Sequence, residues 1–305
     1  MTVREAVERD IPSIIDLLKL SLGEGLMPKS EAFWRWKHLD NPFGKSDILL
    51  AFERDQVVGV RAFMRWEWKL QSRIYRAGRA VDTVTHPDFQ GKGIFRDLTL
   101  KMVDLCKAQS LDFIFNTPNK KSMPGYLKMG WRRHGKMKLF LAPRLFPVKK
   151  STDFDARFCV QRKVIPFNTA FESSHTGSLV TSSSSKMINW RYAANPNIPY
   201  YAFYDNLNHP TFLTIFRLKL HSWGTEMRIC DTFFDSNLDE AAYRKQLRMV
   251  TTKSGARLVT AAHQLPLLSV GAAVGPEITV LPLSTGNNVL SFDLWRPSIG
   301  DLEVF

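Results

Sequence analysis

The stretch THPDFQGKGIFRDLTLKMV, residues 85–103, sets two glycines and a lysine between a proline turn and an apolar run with helical spacing. A helix N-terminus offers unpaired backbone N–H groups and the positive end of the helix dipole. Glycines just before it remove the side chains that would keep a phosphate away from that backbone. Gln90, Gly91, Lys92, Gly93, Ile94, Phe95 and Arg96 therefore have the form of an anion-binding turn, the alternative being an ordinary tight strand-to-helix turn. The turn is not a Walker loop, because no Lys-Ser/Thr pair follows its last glycine. It is not G-x-G-x-x-G either, because Phe95 and Arg96 stand where further glycine would be needed.

Two carboxylates lie upstream of the turn. Asp82 sits on the strand that leads into it, on the face opposite Val81 and Thr83, and Glu67 alternates with Trp66 and Trp68 in the preceding hairpin. Either could take a proton from a reacting group through water, or be a solvated strand residue. A third constellation is FWRWKH, residues 33–38. On a helix Phe33, Trp36 and Lys37 share one face, while Trp34 and His38 share another. Aromatics on two faces suggest one face packed on the core and one lining a cleft, with Trp34 and Trp36 as candidate substrate contacts. The alternative is that both tryptophans are core.

These groups need a scaffold. A chain of 305 residues with 44% hydrophobic and 12% aromatic residues has room for a packed core, in one large domain or two ordinary ones. VREAVERDIPSIIDLLKLSLG reads as a strand, Asp10 as N-cap, and a helix with Pro12 in its first turn. A second helix runs from near Ser30 to Asn41-Pro42. DILLAFE and VVGVRAFMRWEWKL form a hairpin, and GRAVDTVT is the strand that feeds the glycine turn. After the helix come a buried strand in LDFIFN, a short helix in KSMPGYLKMG closed by Gly130, and a strand pair in WRRHGKMKLFLA. The order β-α-α-β-β-β-α-β-α-β predicts a mixed α/β domain over residues 1–145. Residues 146–185 contain a Ser-rich stretch and read as a linker or surface loop.

Residues 186–305 carry an internal echo. WRWKHLDNPF (34–43) recurs as WRYAANPNIP (190–199), and LLAF (49–52) is answered by YYAF (200–203). A strand in EMRICDTFF, a helix in LDEAAYRKQLRMVTTKSG and a strand in ARLVTAA continue the same order, so the second half reads as a diverged copy of the first. Its helix is entered through DTFFDSNLDE, where Asp231, Asp235, Asp239 and Glu240 take the place of the glycines. Carboxylates there satisfy the helix dipole themselves and would repel a phosphate.

The net charge of +13 points to a partner that carries phosphate. The basic residues occur as pairs (Lys120-Lys121, Arg132-Arg133, Lys149-Lys150) and not as a block or a zinc-finger or RNP pattern, which argues against nucleic acid as the main partner. Cys106, Cys159 and Cys230 form neither a metal-ligand spacing nor a disulfide framework, so no metal and a reducing, cytoplasmic location are expected. No run of eighteen apolar residues predicts a membrane span.

The opening stretch, read as V-x-H-P-D-F-Q-G-K-G, resembles the Q/R-x-x-G-x-G/A signature of the GNAT acyltransferase superfamily. NKKSMPGYLKMGW (119–131) resembles that superfamily's N-x-x-A-x-x-x-Y-x-x-x-G-F block, with Asn119, Ser122, Tyr126, Gly130 and Trp131 on its positions. The resemblance covers residues 1–141. It implies the acyl-CoA N-acyltransferase fold, a twisted mixed sheet splayed where acyl-CoA inserts. It also implies pyrophosphate on the N–H groups of Gly91 to Arg96, with Asn119 and Ser122 as further cofactor contacts. The backbone of Thr83, Val84 and Thr85 would pair with the pantetheine arm. Tyr126 would be the general acid that protonates the departing thiolate, acetyl-CoA the donor, and an amine of a small molecule or amino sugar the acceptor. Asp82 is the candidate base, with Glu67 second. Phe95 departs from the signature's last Gly/Ala, and FIFN (113–116) lacks the glutamate that some members carry. The tandem order resembles double-GNAT enzymes, in which the second copy shapes the acceptor site without binding CoA. Two other readings stay open, an aminoacyl or peptidyl transferase of the tandem-GNAT kind and a non-catalytic acyl-CoA sensor. Oligomeric state is not legible in the sequence.

Overall fold

The computed structural model describes residues 1–23, 27–144, 149–173, 177–284 and 291–302. Along the chain, β1 (Thr2–Glu5) leads to α1 (Ile11–Leu22) and α2 (Glu31–His38). The long strands follow as β2 (Asp47–Glu53), β3 (Gln56–Leu70) and β4 (Arg73–Thr85). Next come α3 (Ile94–Ala108), β5 (Phe113–Asn116), α4 (Met123–Lys128), β6 (Arg132–Lys136) and β7 (Leu139–Pro143). The middle of the chain holds α5 (Phe154–Phe158), β8 (Val180–Thr181) and α6 (Ser185–Ile188). Beyond it run β9 (Tyr201–Tyr204), β10 (Phe212–His221), β11 (Gly224–Phe234), α7 (Glu240–Lys253) and β12 (Leu258–Ala261). The chain closes with β13 (Val270–Ala272), β14 (Glu277–Pro282) and α8 (Ile299–Leu302).

Two compact units result. Met1–Gly135 and Glu277–Leu294 make the first, and Lys136–Pro276 with the segment beginning at Trp295 makes the second. In the first unit the strands run β1-β2-β3-β4-β5-β14-β6, antiparallel from β1 to β4 and parallel between β4 and β5. The helices form because their apolar residues recur at i, i+3 and i+4. Ile11, Ile14 and Leu18 of α1 pack with Trp34, Val60 and Val84. Ile94, Leu98 and Met102 of α3 pack with Ala51, Phe63 and Ile114. Val60 and its neighbour Gly59 point opposite ways from the strand, Gly59 toward Ile94 and Leu98, so α1 and α3 cover opposite faces of the β3–β4 ribbon.

The second unit has a six-stranded sheet in the order β13-β7-β12-β11-β10-β9. Phe154, Phe203, Phe212, Phe216, Tyr243 and Leu247 fill its core. A helical segment, a short strand, a long hairpin, a helix and a parallel strand follow one another here as in the first unit. The β11–β12 pair is parallel, as β4–β5 is. Two mixed sheets on an α/β plan agree with the fold class expected from the sequence and with two copies of it.

The chain is partitioned differently from the expected 1–145, 146–185 and 186–305. β14, late in the chain, pairs antiparallel with β5 in the first sheet (Val280 opposite Phe115). FIFN is buried at every position and needs a partner on each edge; TVLP (279–282) supplies the second. The expected strand pair at 132–143 is divided, β6 in the first sheet and β7 in the second. The stretch expected as linker contains α5, whose Phe154 and Phe158 are core residues of the second unit; 146–148 and 174–176 lie outside the described residues. Asp10 does not cap α1 with its side chain, because the carboxylate takes Arg4 (2.7 Å) and the Val7 N–H (2.8 Å). Among the described residues no helix is long and apolar enough to cross a membrane.

Candidate functional site

β4 pairs with β5 only at Ala77, Gly78 and Arg79, while its other edge stays on β3 as far as Thr85. Beyond Arg79, among the described residues, no strand pairs with the β5-side edge of β4. That leaves residues 81–85 with an edge that no strand covers, along which Val81 O accepts from Thr83 Oγ1 (3.2 Å) and Thr85 O from Ser21 Oγ (3.4 Å). A bulge falls in the same stretch: Arg61 faces Thr83 and Ala62 faces Val81, so Asp82 is the extra residue. Its φ of 32° is positive, which a non-glycine residue adopts only under constraint.

The uncovered edge runs into the glycine turn. His86 and Pro87–Phe89 make a short 3-10 turn, followed by Gly91 at φ 76° and Gly93 at φ 82°, the latter capping α3. A Cβ on Gly91 would meet nothing within 4 Å, so glycine is required there by the backbone angle and not by crowding. Gln90, Lys92 and Arg96 are exposed and Ile94 is buried, so the turn is open to solvent while its helix is anchored. Phe95, the departure from the family signature, packs edge-on against Tyr126 at 5.6 Å and lies 3.1 Å from where a Gly125 Cβ would stand. The bulk of Phe95 seats α4.

α4 presents Tyr126. Asn119 Oδ1 accepts from the N–H groups of Lys121 and Ser122, both at 2.9 Å, and from Ser122 Oγ at 3.2 Å. Asn119 and Ser122 thus hold the turn that starts α4. The Tyr126 ring lies between Phe95 and Trp131 (5.2 Å), and no hydrogen bond to another described residue ties up its hydroxyl. Against the same ring, 5.3 Å from its centroid, is the guanidinium of Arg61. Arg61 was not anticipated; the available signal was a charged residue in the middle of the otherwise apolar run VVGVRAF.

Asp82 is bound differently from a general base. One carboxylate oxygen accepts from both Lys37 Nζ (2.7 Å) and His38 Nε2 (2.8 Å), and His38 Nδ1 lies 2.8 Å from Ser46 Oγ. Burial alone would raise the Asp82 pKa, but Lys37 and His38 outweigh it and hold the carboxyl far below the usual range. Burial lowers the His38 pKa, so the ring is neutral. Since the carboxylate can only accept, the proton is on Nε2, and Nδ1 accepts from Ser46. A carboxylate held by a cation and a ring N–H binds a further proton poorly. Asp82 therefore fixes the β4 bulge to the C-terminal end of α2.

The other candidates lie apart. Glu67 is six residues along β3 from Arg61, about 20 Å at the strand rise, opposite Arg76, and its pKa is raised by burial. Trp34 and Trp36 are both buried, Trp34 against His38 (4.0 Å) and Trp36 stacked on Phe33 (5.3 Å), so neither lines a cleft. Among the described residues no group of His, Cys, Asp and Glu has the geometry to hold a metal.

Comparison with known proteins agrees with this geometry. Residues 2–133 match the family described as acetyltransferase (GNAT) domain. A search of curated protein sequences finds no match. Among solved structures, the chain is similar to a probable N-acyltransferase from Enterococcus faecalis V583. That match has a TM-score of 0.66 and 11% identity, and covers 93% of this chain and 73% of that one. A GCN5-related N-acetyltransferase from Anabaena variabilis gives 0.65 and 13%, covering 92% and 72%. Eis1 from Mycobacterium abscessus gives 0.59 and 13%, covering 93% and 74%. At such identities the likeness is one of fold. Residues 2–133 thus match a GNAT acetyltransferase domain, in a chain that has the fold of GNAT N-acetyltransferases over nine-tenths of its length.

Proposed function

We propose that the first unit is an acyl-CoA-dependent N-acyltransferase acting by direct transfer. The observation that carries the reading is the parting of β4 from β5 after Arg79, directly before the Gly91–Gly93 turn and beside Tyr126. Backbone of Thr83, Val84 and Thr85 on the uncovered edge can pair with the amides of a pantetheine arm as an added strand would. The N–H groups at the start of α3, with Lys92 and Arg96 beside them, suit a pyrophosphate. The acyl-CoA supplies an activated thioester. Tyr126 delivers a proton to the departing sulfur, and the acceptor amine gives its proton to water. Asp82, paired with Lys37 and His38, is a positioning residue that fixes the bulge and thereby Thr83. Acetyl is the reference donor, and an amine on a small molecule or amino sugar is the acceptor class.

The second unit reads as a copy that binds no CoA. Asp239 Oδ1 already accepts from the Ala241 and Ala242 N–H groups, at 2.9 and 3.0 Å, at the place where the first copy has its open turn. The direct test is thiol release from acetyl-CoA and other short acyl-CoA thioesters with a panel of amines, including amino sugars. Release that depends on the amine, with the acylated amine found by mass spectrometry, is expected. Binding of CoA without turnover of any amine would favour the sensor reading.

A further inference from the structure

Arg61 lies in the middle of β3 with 0% of its surface exposed. Its Nη1 donates to Thr83 Oγ1, and its Nε and Nη2 have no hydrogen-bond partner among the described residues. The rings of Phe63, Tyr126 and Phe95 surround the guanidinium, with centroids 4.7, 5.3 and 5.5 Å from its central carbon. Aromatic faces attract a cation, but they cannot satisfy N–H groups that point outward in the guanidinium plane. A buried cation without an anion is strongly unfavourable. Two other buried charges are paired: Lys37 has Asp82, and Glu226 has Arg228 and His221.

We propose that Arg61 is a specificity-determining residue that binds a carboxylate carried on the acyl group of the CoA thioester. The preferred donor is then a short dicarboxylic acyl-CoA, malonyl or succinyl, in place of acetyl-CoA. This rests on the acyl-CoA reading of the β4 edge given above. The donor side is chosen because Arg61 points, with Gly59 and Phe63, toward α3 and α4, the side of the Gly91–Gly93 turn and Tyr126. The helices α1 and α2 pack on the other face. Contact with the Tyr126 ring limits the carboxylate to one or two methylenes from the thioester carbonyl. In the reaction the amine nitrogen forms the C–N bond at that carbonyl and the C–S bond breaks with its electron pair left on sulfur. Tyr126 protonates the sulfur and regains its proton from solvent, and the amine proton goes to water. The distal carboxylate stays bound to Arg61 and is unchanged.

The test measures binding to the full chain by calorimetry, without acceptor, for CoA, acetyl-CoA, malonyl-CoA and succinyl-CoA. Wild type is expected to bind one of the two dicarboxylic thioesters at least about tenfold tighter than acetyl-CoA, the size of one charge-assisted contact. Arg61→Met should erase that difference while leaving CoA affinity unchanged, and without ligand it should melt no lower than wild type. Arg61→Lys keeps the charge without the planar fork and should narrow the difference; it serves where the methionine variant fails to fold. Equal wild-type affinity for the three thioesters overturns the proposal, as does an equal loss for all of them in Arg61→Met. If Arg61→Met instead raises only the KM of a carboxylate-bearing amine such as glutamate, the anion belongs to the acceptor and the donor assignment falls. Failure of CoA itself to bind would overturn the acyl-CoA reading, a result distinct from loss of the preference.

Discussion

Replacing Tyr126 by phenylalanine removes one oxygen and keeps the ring between Phe95 and Trp131. Packing and CoA affinity should therefore persist while turnover falls by roughly 10²-fold, the low end for a lost general acid. Steady-state kinetics beside a thermal melt checks this, and wild-type turnover with a good acceptor would return Tyr126 to a packing role. Asp82 should fail in another way. Asp82→Asn leaves buried Lys37 beside a neutral amide, and breaking a buried pair on one side costs about 3 kcal/mol or more, so the expected loss is in stability. The sign of its pH dependence follows from the lowered pKa. The wild-type carboxylate contributes fully above the unfolded aspartate pKa of about 3.9, and that contribution drains away as the pH falls toward the lower folded value. The stability gap between wild type and Asp82→Asn should thus be constant at neutral pH and close in acid. A gap that widened with acid would mean that Asp82 is protonated in the fold and that the pair has been misassigned.

At the scale of elements, the strand-turn-helix unit from β4 to α3 can be tested by separating backbone strain from charge. Gly93→Ala forces a left-handed residue to carry a Cβ, a cost of about 1–2 kcal/mol in stability, yet adds nothing that faces a phosphate. Gly93→Glu adds the same strain and a carboxylate, and should also lose CoA binding by at least about 2 kcal/mol. Calorimetry on the two folded variants decides: equal CoA affinity would remove the pyrophosphate from this turn. Elements whose cause is local were legible in the sequence. The glycine turn, the Pro12 helix start, the hairpin of β2 and β3 and the helix of Tyr126 each follow from turn chemistry or apolar period. Arg61 and the Lys37–Asp82–His38 cluster were not, because they depend on which residues the bulge brings face to face across strands and helices. Periodicity is silent on a one-residue slip in register. Trp34 and Trp36 fell between these cases: their faces on α2 were readable, but whether a face meets core or solvent depends on what packs there.

At the scale of the whole molecule, the least local feature is the path of the chain after residue 135. β14 supplies the strand beside β5 in the first sheet, some 160 residues after β5 itself. No window of sequence near 113–116 could announce that partner, so the boundary placed at residue 145 is the one the topology does not respect. A fragment ending at residue 145 would leave β5, fully buried on both faces, with an open edge and its ladder to β14 unmade. It is therefore expected to aggregate or to lack a cooperative melt, while the full chain folds and takes up one CoA. The stoichiometry follows from the second copy, whose helix N-terminus is already capped by the Asp239 carboxylate. Asp239→Gly should cost that helix its cap, a few tenths of a kcal/mol, without creating a second site, because the turn before α7 lacks the two left-handed glycines that open the backbone in the first copy. Two CoA molecules bound per chain, or a soluble and active fragment of residues 1–145, would overturn this division of labour.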